Sequence, residues 1–268
     1  MIRVDDLWKS FDGRPVLRGA SFRVERGETF AIIGKSGSGK SVLLKHIVGL
    51  MAPDRGRVAV GDADLTALSK VDLKALRRRF GVLFQGGALF DSMTALENVA
   101  FPLTMAEGTP EREARQRAAA CLEMVELGGA AMQRPDALSG GQTKRVALAR
   151  AIAPEPEYLF CDEPNSGLDP ETAAQTDALI QRLTRELGVT TVVVTHDMRS
   201  VLTIAGRAGF LGEGRMRFVG TTEEMQRSTD PALVRFLRTG AYQVDPGPSG
   251  ARENGIPSSF REPIPREA

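Results

Sequence analysis

Residues 34–41 read GKSGSGKS; the apolar run FAII precedes them and SVLLKHIVGL follows. The spacing fits G-x-x-x-x-G-K-[ST] in the strand, loop and helix setting that this motif requires. Few stretches of this length constrain a fold more. A buried strand must end where a helix begins, and the backbone N–H groups of the turn between them must converge on an anion, with the partial positive charge of the helix start behind them. Gly34, Lys35, Ser36, Gly37, Ser38, Gly39, Lys40, Ser41 and Val42 are therefore expected to bind the phosphates of ATP. Lys40 is placed to grip the β- and γ-phosphates and Ser41 to set its hydroxyl on Mg²⁺.

Two further apolar runs, YLFCDE and TTVVVTH, are separated by an amphipathic stretch from Pro170 to Leu187. This is the pattern of βαβ units in a mostly parallel sheet, whose right-handed crossovers bring the strand carboxyl ends to one edge. The first run ends in Asp162 and Glu163, near the phosphates if its strand neighbours the one before the loop. Asp162 is expected to hold Mg²⁺ through water, and Glu163 to act as the base or to orient the water that attacks the γ-phosphate. Because consecutive strand residues face opposite ways, both act only if the strand ends or bends there. His196 ends the second run and is expected to contact the γ-phosphate and the attacking water, whereas His46 reads as packing inside the helix after the loop.

Around these strands, alternation in Ile2–Leu7 and Ala20–Val24 predicts an antiparallel lead-in joined at Asp12-Gly13. Residues 86–153 are rich in Ala, Leu, Glu and Arg and predict a helical insertion, with one helix opening after Thr109-Pro110. LSGGQ, residues 138–142, precedes another helix and looks like a second phosphate-binding helix start. The Arg77-Arg78-Arg79 run reads as a solvated face. Residues 241–268 are rich in proline, glycine and charge and are expected to form a mobile tail.

The 35 basic and 34 acidic side chains leave a formal charge of +1, so no general field draws the chain to nucleic acid. Cys121 and Cys161, the two cysteines, lack metal-binding spacing and read as reduced core residues. The N-terminal residues become charged too early for a secretory signal, and no apolar run approaches the roughly 20 residues that a membrane-spanning helix needs.

Taken in order, these motifs resemble the nucleotide-binding domain of ABC transporters over nearly all of residues 1–240. The resemblance implies an α/β P-loop NTPase of the ABC type: a mostly parallel core sheet, an N-terminal antiparallel β subdomain and a helical subdomain at about 86–153. It implies that Phe11 stacks on adenine and that Gln85 joins Ser41 and Asp162 around Mg²⁺ while linking that site to the helical insertion. It also implies that Ser139, Gly140, Gly141 and Gln142 form the signature presented across a head-to-tail homodimer, and that Asp169, in GLDP, couples the two sites. The partner implied is an integral-membrane permease, with this subunit peripheral on the cytoplasmic side of a bacterial inner membrane.

A narrower resemblance lies in LFQGGALFDSMTALENVAFPL, Leu83–Leu103, and in DPALVRFLRTG, Asp230–Gly240. Both are similar to ATPases of Mla-type phospholipid transporters, which serve MCE-domain proteins; Gln142 and Asn165 depart from that subfamily's usual pattern. The alternatives are the ATPase of a small-solute importer for amino acids or ions and, less favoured, a non-transport ATPase acting on ribosomes or DNA.

Overall fold

The computed structural model describes residues 1–241, so the tail expected beyond them lies outside the described residues. The chain opens with a hairpin, β1 (Ile2–Phe11) and β2 (Arg14–Val24), which pair antiparallel. Asp12 and Gly13 both take left-handed conformations, the turn geometry that suits twisted hairpins. β3 (Thr29–Ile33) runs into the loop that ends at α1 (Lys40–Ile47). β4 (Arg55–Val60) and β5 (Ala63–Asp64) complete a four-stranded sheet in the order β2-β1-β4-β5. α2 (Lys70–Arg77) leads to β6 (Phe80–Leu83), and α3 (Ala95–Pro102), α4 (Glu111–Met124) and α5 (Gly140–Ile152) follow before β7 (Tyr158–Asp162). The chain continues through α6 (Pro170–Leu187), β8 (Thr190–Thr195), α7 (Met198–Ile204), β9 (Arg207–Gly212) and β10 (Arg215–Thr221) to α8 (Thr222–Gln226) and α9 (Pro231–Ala241). No helix among the described residues is long and apolar enough to cross a membrane.

The second sheet has the order β10-β9-β3-β8-β7-β6, with β10 antiparallel at one edge and the other five strands parallel. Side-chain parity divides it between two cores. Ala31, Ile33, Leu159, Cys161 and Val193 face α3–α7 and α9, whereas Phe30, Ile32, Phe160, Val192 and Val194 face α1 and the antiparallel sheet. The consecutive apolar residues of Phe30–Ile33, Tyr158–Cys161 and Val192–Val194 are what a sheet covered on both faces needs.

This order corrects one premise of the sequence reading. β7 does not neighbour β3, because β8 lies between them and pairs with both. The arginine run is also only partly a solvated face. Arg77 donates to the Gly49 carbonyl, and Arg79 makes a forked pair with Glu157 at 2.7 and 2.6 Å, which leaves Arg78 exposed.

Strand β6 approaches α5 so closely that a Cβ at Gly81 would lie 2.4 Å from the Ala151 carbonyl oxygen. Gly81→Ala is expected to lower stability by about 1–3 kcal/mol, the usual cost of overpacking, measured by urea denaturation. An unchanged midpoint would show that the two elements separate freely.

At the other end of the insertion, Thr94 and Glu97 cap α3 reciprocally, and the fully buried Asn98 pins the preceding loop. Its amide accepts from Phe90 N at 2.7 Å and donates to the carbonyls of Phe90, Met93 and Thr94 at 3.1, 3.2 and 3.1 Å. In α9, Leu233, Phe236 and Leu237 turn inward, and Phe236 packs 5.3 Å from Phe210 of β9. That part of Asp230–Gly240 therefore belongs to the protein's own core.

Candidate functional site

Registry places the chemistry on one edge of the sheet. Ile33 pairs with Thr195, and Asp162 with Val194, so Gly34, Glu163 and His196 all follow directly from neighbouring strand ends. The loop from Gly34 to Gly39 bends there because Gly37 and Gly39 take left-handed φ values of 76° and 99°. At Gly39 a Cβ would also meet Val16 at 3.0 Å. No side chain caps α1, so its first-turn N–H groups face the loop interior with an anion as their natural partner.

Parity puts Asp162 on the α1 side of the sheet, within reach of the first turn of that helix. Ser41 Oγ donates to Asp162 Oδ1 at 3.0 Å. Burial pushes the Asp162 carboxyl above its ordinary value, the Ser41 hydrogen bond opposes the rise, and the adjacent Glu163 carboxylate adds to it. A hydroxyl and a carboxylate side by side are the hard oxygen donors that Mg²⁺ takes, and a cation there would favour the ionised form. The pair fits Mg²⁺.

Glu163 would face the opposite way if the strand continued. Instead its φ of 47° bends the chain at once, while its N–H still donates to Val194 O at 2.8 Å. The bend turns the carboxylate to the same edge as Asp162. It is only 9% exposed, with Oε2 2.8 Å from His196 Nδ1 and Oε1 3.6 Å from Lys40 Nζ. Lys40, 6% exposed, donates to the Gly34 and Lys35 carbonyls at 2.9 and 3.2 Å. Lysine, carboxylate and imidazole thus form a chain from the phosphate loop to solvent, where His196 has 55% of its side chain exposed.

The remaining site candidates fall into different settings. Phe11 ends β1 with 41% exposure, under Lys9 Nζ at 5.7 Å from its ring centroid, and is not a core aromatic. Gln85 donates to Ser166 Oγ at 3.4 Å. In LSGGQ, the Ser139 hydroxyl accepts from Gln142 N at 3.2 Å and the Gln142 side chain accepts from Ser139 N at 2.9 Å, a reciprocal cap on α5. Ser139 and Gly140 are exposed, while Gly141 is buried against Thr172. Asp169 is exposed at the start of α6 and caps it by accepting from Glu171 N and Thr172 N. The Thr172 hydroxyl bond, followed by these backbone bonds, holds its carboxyl below the usual range.

Sequence reasoning passed over a polar network beside the site. Asn165 Nδ2 donates to Asp177 Oδ1 at 2.8 Å and lies 2.7 Å from Ser200 Oγ. Burial pushes the Asp177 carboxyl up, against the hydrogen bonds from Ser200 and Asn165. Asn165 and Asp177, together with Glu163 and His196, line a cleft of about 400 Å³. The only sequence signal was an acidic residue on the apolar stripe of α6.

Comparison with known proteins supports the same chemistry. A family model described as ABC transporter matches residues 17–166. Methionine import ATP-binding protein MetN 2 of Rhodococcus jostii is 43% identical over 244 residues, covering 89% of this chain and 72% of that protein. The Caulobacter vibrioides methionine import ATP-binding protein MetN is 44% identical over 252 residues, with 92% and 75% covered. Among solved structures, the ATP-binding cassette MJ0796, a post-hydrolysis dimer bound to ADP and phosphate, superposes with a TM-score of 0.76 at 34% identity, over 82% of this chain and 98% of that one.

Proposed function

Because this chain belongs to the ABC transporter family, as an ATP-binding subunit with the ABC-type P-loop fold, we propose that it drives a separate permease that imports a small solute. It is an ATPase, and ATP and Mg²⁺ are its ligands. The observation that carries the mechanistic reading is the convergence of Lys40, Ser41, Asp162, Glu163 and His196 on one sheet edge.

In this reading the phosphate loop and α1 hold the phosphates and Lys40 leaves its loop carbonyls for the phosphate oxygens. Ser41 and Asp162, with Gln85 just ahead of the helical insertion, would hold Mg²⁺, which would neutralise charge developing on the transferred group. Glu163 accepts the proton of the attacking water or orients it, and His196 fixes that carboxylate from the solvent side. Phe11 offers its exposed face to adenine. The exposed LSGGQ start of α5 serves the second subunit of a head-to-tail homodimer, next to Asp169, and two-fold symmetry makes both sites equivalent. The dimeric cassette MJ0796 supports that assembly.

An apolar groove of about 390 Å³ lies between β6, α3 and α5, lined by Leu50, Phe84, Phe90, Phe101 and Pro102, with Phe84 and Phe90 exposed. It supports docking of an apolar permease segment, which would hold this subunit at the cytoplasmic face of the membrane. The methionine import proteins among the relatives support an amino acid as the solute; an importer of that kind would take its solute from a separate binding protein. The second reading, phospholipid transport with an MCE-domain protein, rests on the Leu83–Leu103 segment, which contributes Phe84, Phe90, Phe101 and Pro102 to this groove, and on Asp230–Gly240; the relatives' names do not support it.

The test is co-purification with a permease identified among the neighbouring genes, followed by ATP-driven transport in proteoliposomes. Methionine uptake stimulated by a binding protein is expected. Phospholipid movement without amino-acid uptake would replace this reading with the second one.

A further inference from the structure

Lys144 lies one turn into α5 with only 5% of its surface exposed, and none of the nucleotide contacts described above uses it. A lysine is rarely left inside a protein unless its ammonium group is hydrogen-bonded. Here the ammonium donates to the Gln85 carbonyl and lies 3.5 Å from the Glu163 carbonyl. Burial lowers its pKa, while the nearby Asp162 and Glu163 carboxylates favour the charged form. Further along the same helix, Arg150 donates to the carbonyls of Gly87 and Ala88 at 2.7 and 2.6 Å. α5 therefore grips residues 85–88 at two heights, and at the lower one it also reaches the backbone of Glu163.

That backbone needs support. Glu163 sits in a left-handed conformation, which a non-glycine residue keeps only when its surroundings over-determine it. Val194 O holds its N–H on one side, and Lys144 approaches its carbonyl on the other. The helix that supplies this second support is capped by Ser139, which with Gly140 forms the exposed part of LSGGQ.

We propose that Lys144 is a positioning residue for ATP hydrolysis, tying the backbone of Gln85 and Glu163 to the helix that presents LSGGQ, so that the base of one site moves with the signature offered to the other. The inference rests on the reading of the chain as a dimeric ATPase. It predicts that the side chain acts on the chemical step and not on nucleotide capture. A residue that merely fills space would alter melting and the folded fraction, and would leave the turnover of bound nucleotide alone.

The test compares Lys144→Met, which keeps the stem but removes the donor, with Lys144→Gln, which keeps a shorter neutral donor able to reach the nearer carbonyl only. Steady-state ATPase assays on the full chain, alone and with its permease, give kcat and KM; a fluorescent ATP analogue gives the binding-competent fraction, and thermal melting reports folding. Expected for Met is a kcat at least about tenfold below wild type with KM within about threefold, a misplacement effect. Gln is expected between Met and wild type at the same KM. Met within twofold of wild type, or a loss that falls on KM, overturns the proposal. If Met does not fold, Gln decides: a lower kcat at unchanged KM supports the proposal, and wild-type kcat overturns it. An inactive wild type would instead overturn the ATPase reading itself.

Discussion

Glu163→Gln is expected to reduce ATP turnover by about 100- to 1,000-fold while nucleotide still binds, because the amide keeps the shape of the carboxylate and loses its capacity to take a proton. The structure makes this replacement unusually clean. Glu163 is nearly buried and held between Lys40 at 3.6 Å and His196 at 2.8 Å, so an isosteric amide has no room to adopt a new role. Bound ATP that cannot be hydrolysed should then hold two subunits together, a shift of population and not a new contact. Phosphate release and size-exclusion chromatography in ATP check both parts. Turnover within tenfold of wild type, with no dimer trapped, would remove Glu163 from the chemistry.

Lys40→Ala should act one step earlier, on binding. The Lys40 ammonium is satisfied by two carbonyls of its own loop, and it can exchange them for phosphate oxygens without leaving the site. A hydrogen bond to a charged group contributes about 1.5–3 kcal/mol, so affinity for ATP should fall roughly 10- to 150-fold, read by titration with a fluorescent analogue. The fold should survive, since the apolar packing of α1 comes from Leu43, Leu44 and Ile47. Affinity within threefold of wild type would mean that the backbone N–H groups hold the phosphates unaided.

The contrast between these two residues shows what a sequence reveals directly. Lys40 belongs to a motif whose whole setting lies within about twenty consecutive residues, so strand, loop and helix were legible together. Glu163 and His196 each close an apolar run, and that much was local too. Their meeting depends on strand order, which no local pattern encodes, and β8 lies between the two strands whose adjacency was the stated condition. Asn165 and Asp177 are nearer in sequence than that pair, yet they meet only because α6 packs beside the turn after β7. Ser139, Gln142 and Asp169 carry a second reason for their chemistry: all three cap helices, so their identity alone does not separate structural need from a role across a dimer. The cargo was the least legible property. The Leu83–Leu103 segment contributes to an apolar groove, and a groove bears on the shape of a proposed partner more directly than on what that partner would carry.

The position of β8 has a dimensional consequence. Neighbouring strands are roughly 4.8 Å apart, so one interposed strand sets the ends of β3 and β7 roughly 9.6 Å apart. That backbone gap is bridged by side chains: Lys40 Nζ reaches to 3.6 Å from Glu163 Oε1, and Ser41 Oγ donates to Asp162 at 3.0 Å. The middle strand is thus a spacer that only long side chains and the turn of the phosphate loop can cross, and in the reading proposed above the transferred group would enter between them.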